Sequence, residues 1–527
     1  MLAASAARFP EEKYQMLEST LVGTPTTIGS MLIQAAERYG TREALSEGNT
    51  TLSYARTLEL AQKCAVSIVE RGVKPGDRVA IALPNGLHHA VSYFGTQLAG
   101  AIAVVVNTRL SAPEIAHVLS DSGASLVVSD SSFAERLTSD ADVVDPQVLL
   151  TERPPHADHT PLPGLSRSAD DTAQLLYTSG TTGRPKGAAQ THANLLFNAA
   201  TVREQFELTP NDRTLIVAPM FHASGLNSQL IGFLSAGASC VLAPEFKAAV
   251  TLATLAERRI TIFAGVATML QLMLTRPEID SLDLSALRLF AMGGSPVPES
   301  LPAQAISKMP NIAFANIWGM TEATSIVTFV KGDDYLARPW SSGRAVPGTE
   351  LGVTTEDGTV ADLREHVGEL CIRGPVVAAG YWNNPEATAD TFREGWLHTG
   401  DVGSIDTDGY VHVLDRLKNM IIRGGENIYS IEVESVLAAH PAVADVGVVG
   451  VPDDIFGERV RAVVSISPGQ RLTSDDLRAY AARHLADYKV PAEILFIHEL
   501  PRNPSGKLVK GALAQLPATS HGEADVS

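Results

Sequence analysis

Short apolar runs alternate with helix-like stretches from Thr26 to Ser129, and the alternation returns from Leu175 to Asn316. No single motif constrains the fold as much. Apolar spacing predicts a helix over Ser53 to Glu70, and the run Val79 to Leu83 predicts a strand. Further strands are expected at Leu175 to Tyr177, Thr214 to Ala218, Thr261 to Ala264, Leu287 to Ala291 and Ile312 to Asn316, each closed by a loop rich in Gly, Ser, Thr or Pro. Such a pattern is that of an α/β fold whose chemistry sits where strands end and loops converge. The segment from Thr138 to Asp171 lacks periodicity and is expected to be a surface connection. A change of texture near Asp415 to Asn419 divides the chain into residues 1–415 and 416–527. The second part predicts a small α+β domain: strand Met420 to Ile422, helix Ser430 to Ala439, strands Ala444 to Val451 and Ala462 to Ile466, and helix Ser474 to Leu485. Pro517 to Ser527 is expected to be frayed.

Composition narrows the partners. A chain of 527 residues exceeds what one core ordinarily organises, and 45% apolar against 19% charged residues supplies ample burial. Lys and Arg number 41 against 59 Asp and Glu, a formal charge of −18 that repels nucleic acid and anionic lipid. An anionic ligand must then meet a local cluster of donors. Cys64, Cys240 and Cys371 are far apart in apolar stretches and are expected to be buried thiols. Glu11 and Glu12 follow Arg8 with no apolar run behind them, so no signal peptide is expected. No window reaches the roughly 18 apolar residues of a membrane span, and the expected location is the cytoplasm.

Tyr177-Thr178-Ser179-Gly180-Thr181-Thr182-Gly183-Arg184-Pro185-Lys186-Gly187 follows an apolar strand. Its glycines let the backbone approach a ligand and present N–H groups, its hydroxyls add donors, and Arg184 and Lys186 add charge. A loop of this kind suits polyphosphate. It is not a Walker A loop, because Gly rather than Ser or Thr follows the Lys.

This loop resembles the phosphate loop of the adenylate-forming superfamily, which includes acyl-CoA synthetases, peptide-synthesis adenylation domains and firefly luciferase. In the same order come Trp318-Gly319-Met320-Thr321-Glu322, Gly400-Asp401, Asp415-Arg416-Leu417-Lys418, Arg423-Gly424-Gly425-Glu426-Asn427 and Pro504-Ser505-Gly506-Lys507. The resemblance spans residues 26–510 and implies a large N-terminal domain of stacked α/β subdomains with a small mobile C-terminal domain. It implies ATP, Mg2+ and coenzyme A as ligands beside a small-molecule carboxylic acid; it allows a homodimer. Thr178, Ser179, Gly180, Thr181, Thr182, Gly183 and Lys186 would hold phosphates, Glu322 the magnesium, and Thr321 the α-phosphate. Gly293, Gly294, Ser295, Asn316, Trp318 and Gly319 resemble the adenine side, with Trp318 where Tyr is more usual. Asp401 would accept the ribose hydroxyls, Arg416 would reach ribose and phosphate, and Lys507 resembles the catalytic lysine. His222 would stand beside the bound carboxylate. Phe221, His222, Ala264, Gly265, Val266, Met292, Gly293 and Gly319 would line the acyl pocket.

The acceptor needs separate argument. Gly424, Gly425 and Glu426 resemble the version of this string common in acyl-CoA synthetases, where the pantetheine arm passes the glycines. About 20 residues follow Lys507, which disfavours an assembly-line module. Lys418 falls at the family's hinge. Acetate-specific relatives carry Trp where this chain has Gly319, so an open pocket is expected for an aryl, medium-to-long aliphatic or polycyclic acid. Ala267 stands where the family often has Pro. Another acceptor, such as an acyl-carrier protein, and a non-catalytic ATP or adenylate sensor remain alternatives.

Overall fold

A computed structural model describes residues 25–134, 136–137, 142–151, 163–178, 184–355, 357–502 and 508–517. The alternating segments form two large sheets. Strands Asp142–Val144, Leu126–Ser129, Arg78–Ala82, Ile102–Val105, Thr172–Thr178 and Lys186–Thr191 lie in that order, parallel except for the last pair. The other sheet has nine strands, and Glu43–Glu47, Ser239–Leu242, Arg213–Ile216, Ile262–Gly265, Leu289–Gly293 and Ala313–Trp318 are its parallel centre.

Helices cover both faces of each sheet, which is why the strands read as nearly unbroken apolar runs. Between the sheets lie helices Ile28–Tyr39, Tyr54–Glu70, Leu87–Leu98 and His192–Gln205, whose Leu32, Cys64, Phe94 and Leu195 share one core with Ile81 and Ile216. Outside, helix Ala112–Ser122 packs Ile115 and Val118 over Ala80 and Val104. Helices Ala248–Glu257, Ala267–Leu274 and Leu301–Lys308 pack Leu252, Leu270 and Leu301 over Phe263, Phe290 and Phe314. Side chains fix the helix starts: Thr27, Ser111 and Thr191 each cap the third residue beyond, reciprocated by Ser30, Glu114 and Asn194.

Residues 350–416 form an antiparallel sheet, and residues 421–496 form a separate one covered by helices Ser430–Ala438 and Ser474–Ala482. The sequence expectation fails at Thr138 to Asp171. Instead of a bare connection, the segment adds strand Asp142–Val144 to a sheet edge and then helix Pro146–Thr151. Three strand residues are too few for a period of two to register. All three cysteines are buried and free. Among the described residues, no helix is long and apolar enough to cross a membrane.

A polar seam runs through this apolar interior. Tyr93 donates to Gln174 at 2.6 Å, and Gln174 Nε2 donates to Gln190 at 2.7 Å and Asn227 at 2.8 Å. Gln190 in turn donates to the Thr321 carbonyl, and Asn227 to the Thr324 carbonyl, both at 2.6 Å. Asn227 lies on a π-helix, Ser224–Ile231, a rare element often found at functional sites.

Two histidines are buried neutral. Burial pushes His89, whose Nδ1 lies 3.1 Å from the Leu83 carbonyl, down to about 4. His192, which accepts from the Ile28 amide at 3.2 Å, is also pushed down to about 4 by burial. Unfolded, each titrates near 6.5, so between 6.5 and about 4 the unfolded chain binds more protons. Stability is therefore predicted to fall as pH drops through that window, by on the order of 1–3 kcal/mol per histidine, and to level off on this account below it. Urea unfolding across pH checks this, with a shallower slope expected in His89→Gln.

Candidate active site

Strand ends collect the predicted residues. In the nine-stranded sheet Gly265 pairs with Met292, Met292 with Asn316, and Gly293 with Ile317, so segments far apart in sequence end side by side. Thr178 ends a strand of the other sheet, and its hydroxyl lies 3.4 Å from Glu322 Oε1, which brings the two sheets' strand ends together. Ser179, Gly180, Thr181, Thr182, Gly183 and Lys507 lie outside the described residues. Lys186 opens the return strand, its Nζ 5.4 Å from the centre of the Tyr381 ring.

After Trp318 the chain doubles back through a single turn, Thr321–Ala323. A side chain at Gly319 would place its Cβ 1.6 Å from the Ser325 carbonyl oxygen. This corrects the sequence reading, because backbone closure alone requires glycine here and the residue carries no argument for an open pocket. The turn leaves Glu322 only 7% exposed, with Tyr381 donating to Oε1 at 2.7 Å and Ala378 N–H donating to its main-chain oxygen at 2.8 Å. The side chains described around its carboxylate are oxygen donors, Thr178 and Tyr381. That set fits a hard dication such as Mg2+ and offers nothing a soft metal would prefer.

Asp401 is buried in the middle of the ten-residue strand Trp396–Ile405, opposite Arg416 in register. Trp318 Nε1 donates to its Oδ2 at 2.8 Å, and Arg416 Nε reaches Oδ1 at 2.5 Å. The indole is 8% exposed and packs with Phe197, Ala323 and Val327, so most of the ring is covered by protein. Where Tyr would present a hydroxyl, Trp presents an N–H to the carboxylate. Glu369 holds the preceding turn by accepting the Gly400 N–H at 2.8 Å and pairing with His398 at 2.9 Å. Cys371, read from sequence as isolated, lies 3.4 Å from His398 Nδ1, and burial pushes its thiol up to about 12. The Arg393 guanidinium, 3.1 Å from that same nitrogen, supplies positive charge to the cluster.

On the acyl side, Phe221 and His222 meet edge to face with ring centres 4.8 Å apart. Ala264, Gly265 and Val266 are half-buried at the C-terminal end of a central strand, whereas the Met292 side chain is fully buried in the outer core with Phe263 and Phe290. Asn316 turns its amide to the Ser341 carbonyl at 2.9 Å. Ser295 follows Gly293 and Gly294, and its buried hydroxyl has no partner among the described residues. Lys418 is exposed in the turn Leu417–Asn419. Gly424 and Gly425, both at positive φ (60° and 90°), form the tip of an exposed hairpin, and exposed Glu426 starts its second strand.

Sequence reasoning missed Tyr381, Gln190, Asn227 and Glu369. Each acts through side-chain contacts made by the fold, and none stands in a string with chemical character of its own. Asp415 was read only as part of a polar hinge, yet it is buried and accepts from the Ser430 amide and, at 2.6 Å, the Ser430 hydroxyl.

Residues 32–382 match the AMP-binding enzyme family, and residues 432–507 match the AMP-binding enzyme C-terminal domain. The chain is 39% identical over 484 residues to feruloyl-CoA synthase of Amycolatopsis sp, covering 92% of this chain and 98% of that protein. It is 35% identical over 502 residues to long-chain-fatty-acid–CoA ligase FadD13 of Mycobacterium tuberculosis, covering 93% and 98%. Its fold matches o-succinylbenzoate CoA synthetase (MenE) of Bacillus subtilis in complex with the acyl-adenylate intermediate OSB-AMP. The TM-score is 0.84 and the identity 32%, over 95% of this chain and 100% of that one. The same enzyme is also known in complex with ATP and magnesium ion, at a TM-score of 0.81. This chain belongs to the AMP-binding enzyme family and, within the adenylate-forming enzymes, to the acyl-CoA synthetase branch.

Proposed function

We propose that this acyl-CoA synthetase activates a bulky carboxylic acid, aryl, medium-to-long aliphatic or polycyclic, as its adenylate and passes the acyl group to coenzyme A. The observation that carries this reading is the convergence of Thr178, Lys186 and Glu322 at one end of the strands with Asp401, Arg416 and Trp318 beside them. The acid class draws on the names of the relatives, which act on feruloyl, long-chain fatty and succinylbenzoyl groups, and on the small half-buried residues Ala264 and Gly265.

In the first step a carboxylate oxygen attacks the α-phosphorus of ATP, and the bond to pyrophosphate breaks. Such transfers depend on placement and charge stabilisation. Residues 178–183 and Lys186 cradle the phosphates, Thr321 bonds the α-phosphate, and Lys507 bridges carboxylate, ribose and α-phosphate. Glu322 holds Mg2+, which supplies positive charge to the phosphate oxygens when bound. Asp401 takes the ribose hydroxyls, its ionised carboxylate oriented by Trp318 and Arg416. In the second step the part of the chain beyond Lys418 turns about it, withdrawing Lys507 and bringing Gly424 inward. The coenzyme A sulfur, its proton lost, attacks the acyl carbon and AMP leaves.

Pyrophosphate release with acetate, fatty, aryl and polycyclic acids, each with and without coenzyme A and with mass detection, tests the assignment. A thioester from one bulky class is expected. Acid-dependent pyrophosphate without thioester would move the acceptor elsewhere, and silence with every acid would favour a sensor. Lys507→Ala is predicted to slow adenylation by roughly 100-fold or more while still converting a supplied acyl-adenylate to thioester. Trp318→Phe is predicted to raise the KM for ATP roughly tenfold, by removing one hydrogen bond to the buried Asp401 carboxylate; KM for the acid should hold steady.

A further inference from the structure

We propose that Tyr381 is a positioning residue for the phosphate end of the site: its hydroxyl aims the Glu322 carboxylate and its ring seats the Lys186 ammonium. The proposal rests on the reading of Glu322 as the magnesium ligand. Tyr381 lies on a short segment that runs antiparallel along the strand leaving the phosphate loop. Ala379 N–H donates to the Ala189 carbonyl, Ala189 N–H to the Gly380 carbonyl and Trp382 N–H to the Gly187 carbonyl, all at 2.8–2.9 Å. The ring is fixed from behind as well, since Tyr381 N–H donates to Thr388 Oγ1 at 2.9 Å and Phe392 packs edge-on at 5.7 Å.

From this anchored position the same segment grips Glu322 twice, the main chain through Ala378 at 2.8 Å and the carboxylate through the Tyr381 hydroxyl at 2.7 Å. In this contact the phenol O–H is the donor and the carboxylate oxygen the acceptor. The described donors to the carboxylate, Tyr381 and Thr178, both use Oε1, which leaves Oε2 for a cation. The opposite charge of the pair is also served: Lys186 Nζ lies over the aromatic face at 5.4 Å, within cation–π range. One side chain thus sets the spacing between the carboxylate that would hold the metal and the ammonium that would meet the phosphates.

The test is a Mg2+ titration of pyrophosphate release at saturating acid, with the full-length enzyme. Tyr381→Phe keeps the ring and loses the hydroxyl; it is expected to raise the Mg2+ concentration for half-activation roughly tenfold, with KM for acid and coenzyme A essentially unchanged. Tyr381→Leu should in addition raise the KM for ATP. Glu322→Gln is the control. If Glu322→Gln shifts the Mg2+ dependence and Tyr381→Phe does not, the proposal is overturned while the reading of Glu322 stands. A Tyr381→Phe that merely lowers kcat and melting temperature at an unchanged Mg2+ requirement overturns it equally. If Glu322→Gln itself leaves the requirement unmoved, the reading of Glu322 falls, and Tyr381's role with it.

Discussion

The site depends on a hydrogen-bonded amide seam buried between two sheets. Gln174 and Gln190 belong to adjacent antiparallel strands of one sheet, and Asn227 rises from the π-helix just beyond Phe221 and His222. Their amides satisfy one another and have donors left for the Thr321 and Thr324 carbonyls. An unpaired Thr324 carbonyl in an apolar interior would cost about 1–3 kcal/mol, and the Thr321 carbonyl gains a second donor beside the Thr324 N–H, so the turn bearing Glu322 is held where the amides reach it. The wider winding of a π-helix turns its side chains about the axis relative to an α-helix, and here it aims Asn227 at this turn. One contact set thereby ties the acyl side of the site to its phosphate side.

Both functional carboxylates are then oriented in the same way. Asp401 receives the indole N–H of Trp318, and Glu322 receives the phenol O–H of Tyr381. In each case a large ring is packed against protein and only its polar tip faces the acid group. An aromatic ring has few torsions to freeze and much surface to bury, so it fixes a charge more firmly than a flexible donor would. Glu369 extends the principle by one step: it holds Gly400, whose positive φ of 68° sets the turn into Asp401.

The sequence was legible where chemistry is local. Alternating runs located the strands to within a few residues: Leu175 to Tyr177 sits inside Thr172–Thr178, and Ile312 to Asn316 overlaps Ala313–Trp318. Ordered motifs pointed to Glu322, Asp401 and Arg416 because each sits in a string with its own chemical character. What escaped was made by tertiary contact. Gln190 reads as an ordinary strand residue, and Tyr381 as one aromatic in a loop; only pairing with Lys186–Thr191 brings the latter's hydroxyl to Glu322. Gly319 shows the converse error, where a pocket meaning was read into a glycine that main-chain closure already requires.

At the joint between the two parts of the chain, a residue before Lys418 caps a helix that comes after it. Helix Ser430–Ala438 begins without a cap from its own preceding residue, Tyr429. Asp415 supplies it from across the hinge, accepting from the Ser430 amide and hydroxyl where the helix N-terminus carries partial positive charge. Lys510 closes the far side by pairing with Glu434 at 2.7 Å and donating to the Ser430 hydroxyl. Asp415 precedes Lys418 and Ser430 comes after it, so the proposed rotation about Lys418 would separate the carboxylate from the helix it caps. The Arg416–Asp401 pair lies wholly before Lys418 and survives that rotation. A charged cap of this kind is worth about 1–2 kcal/mol, enough to favour one arrangement without forbidding the other. Under the proposed rotation Asp415 would bias the position of residues 430–438 while Arg416 would keep its grip on Asp401, so two consecutive residues would divide the control of domain position from the proposed nucleotide site.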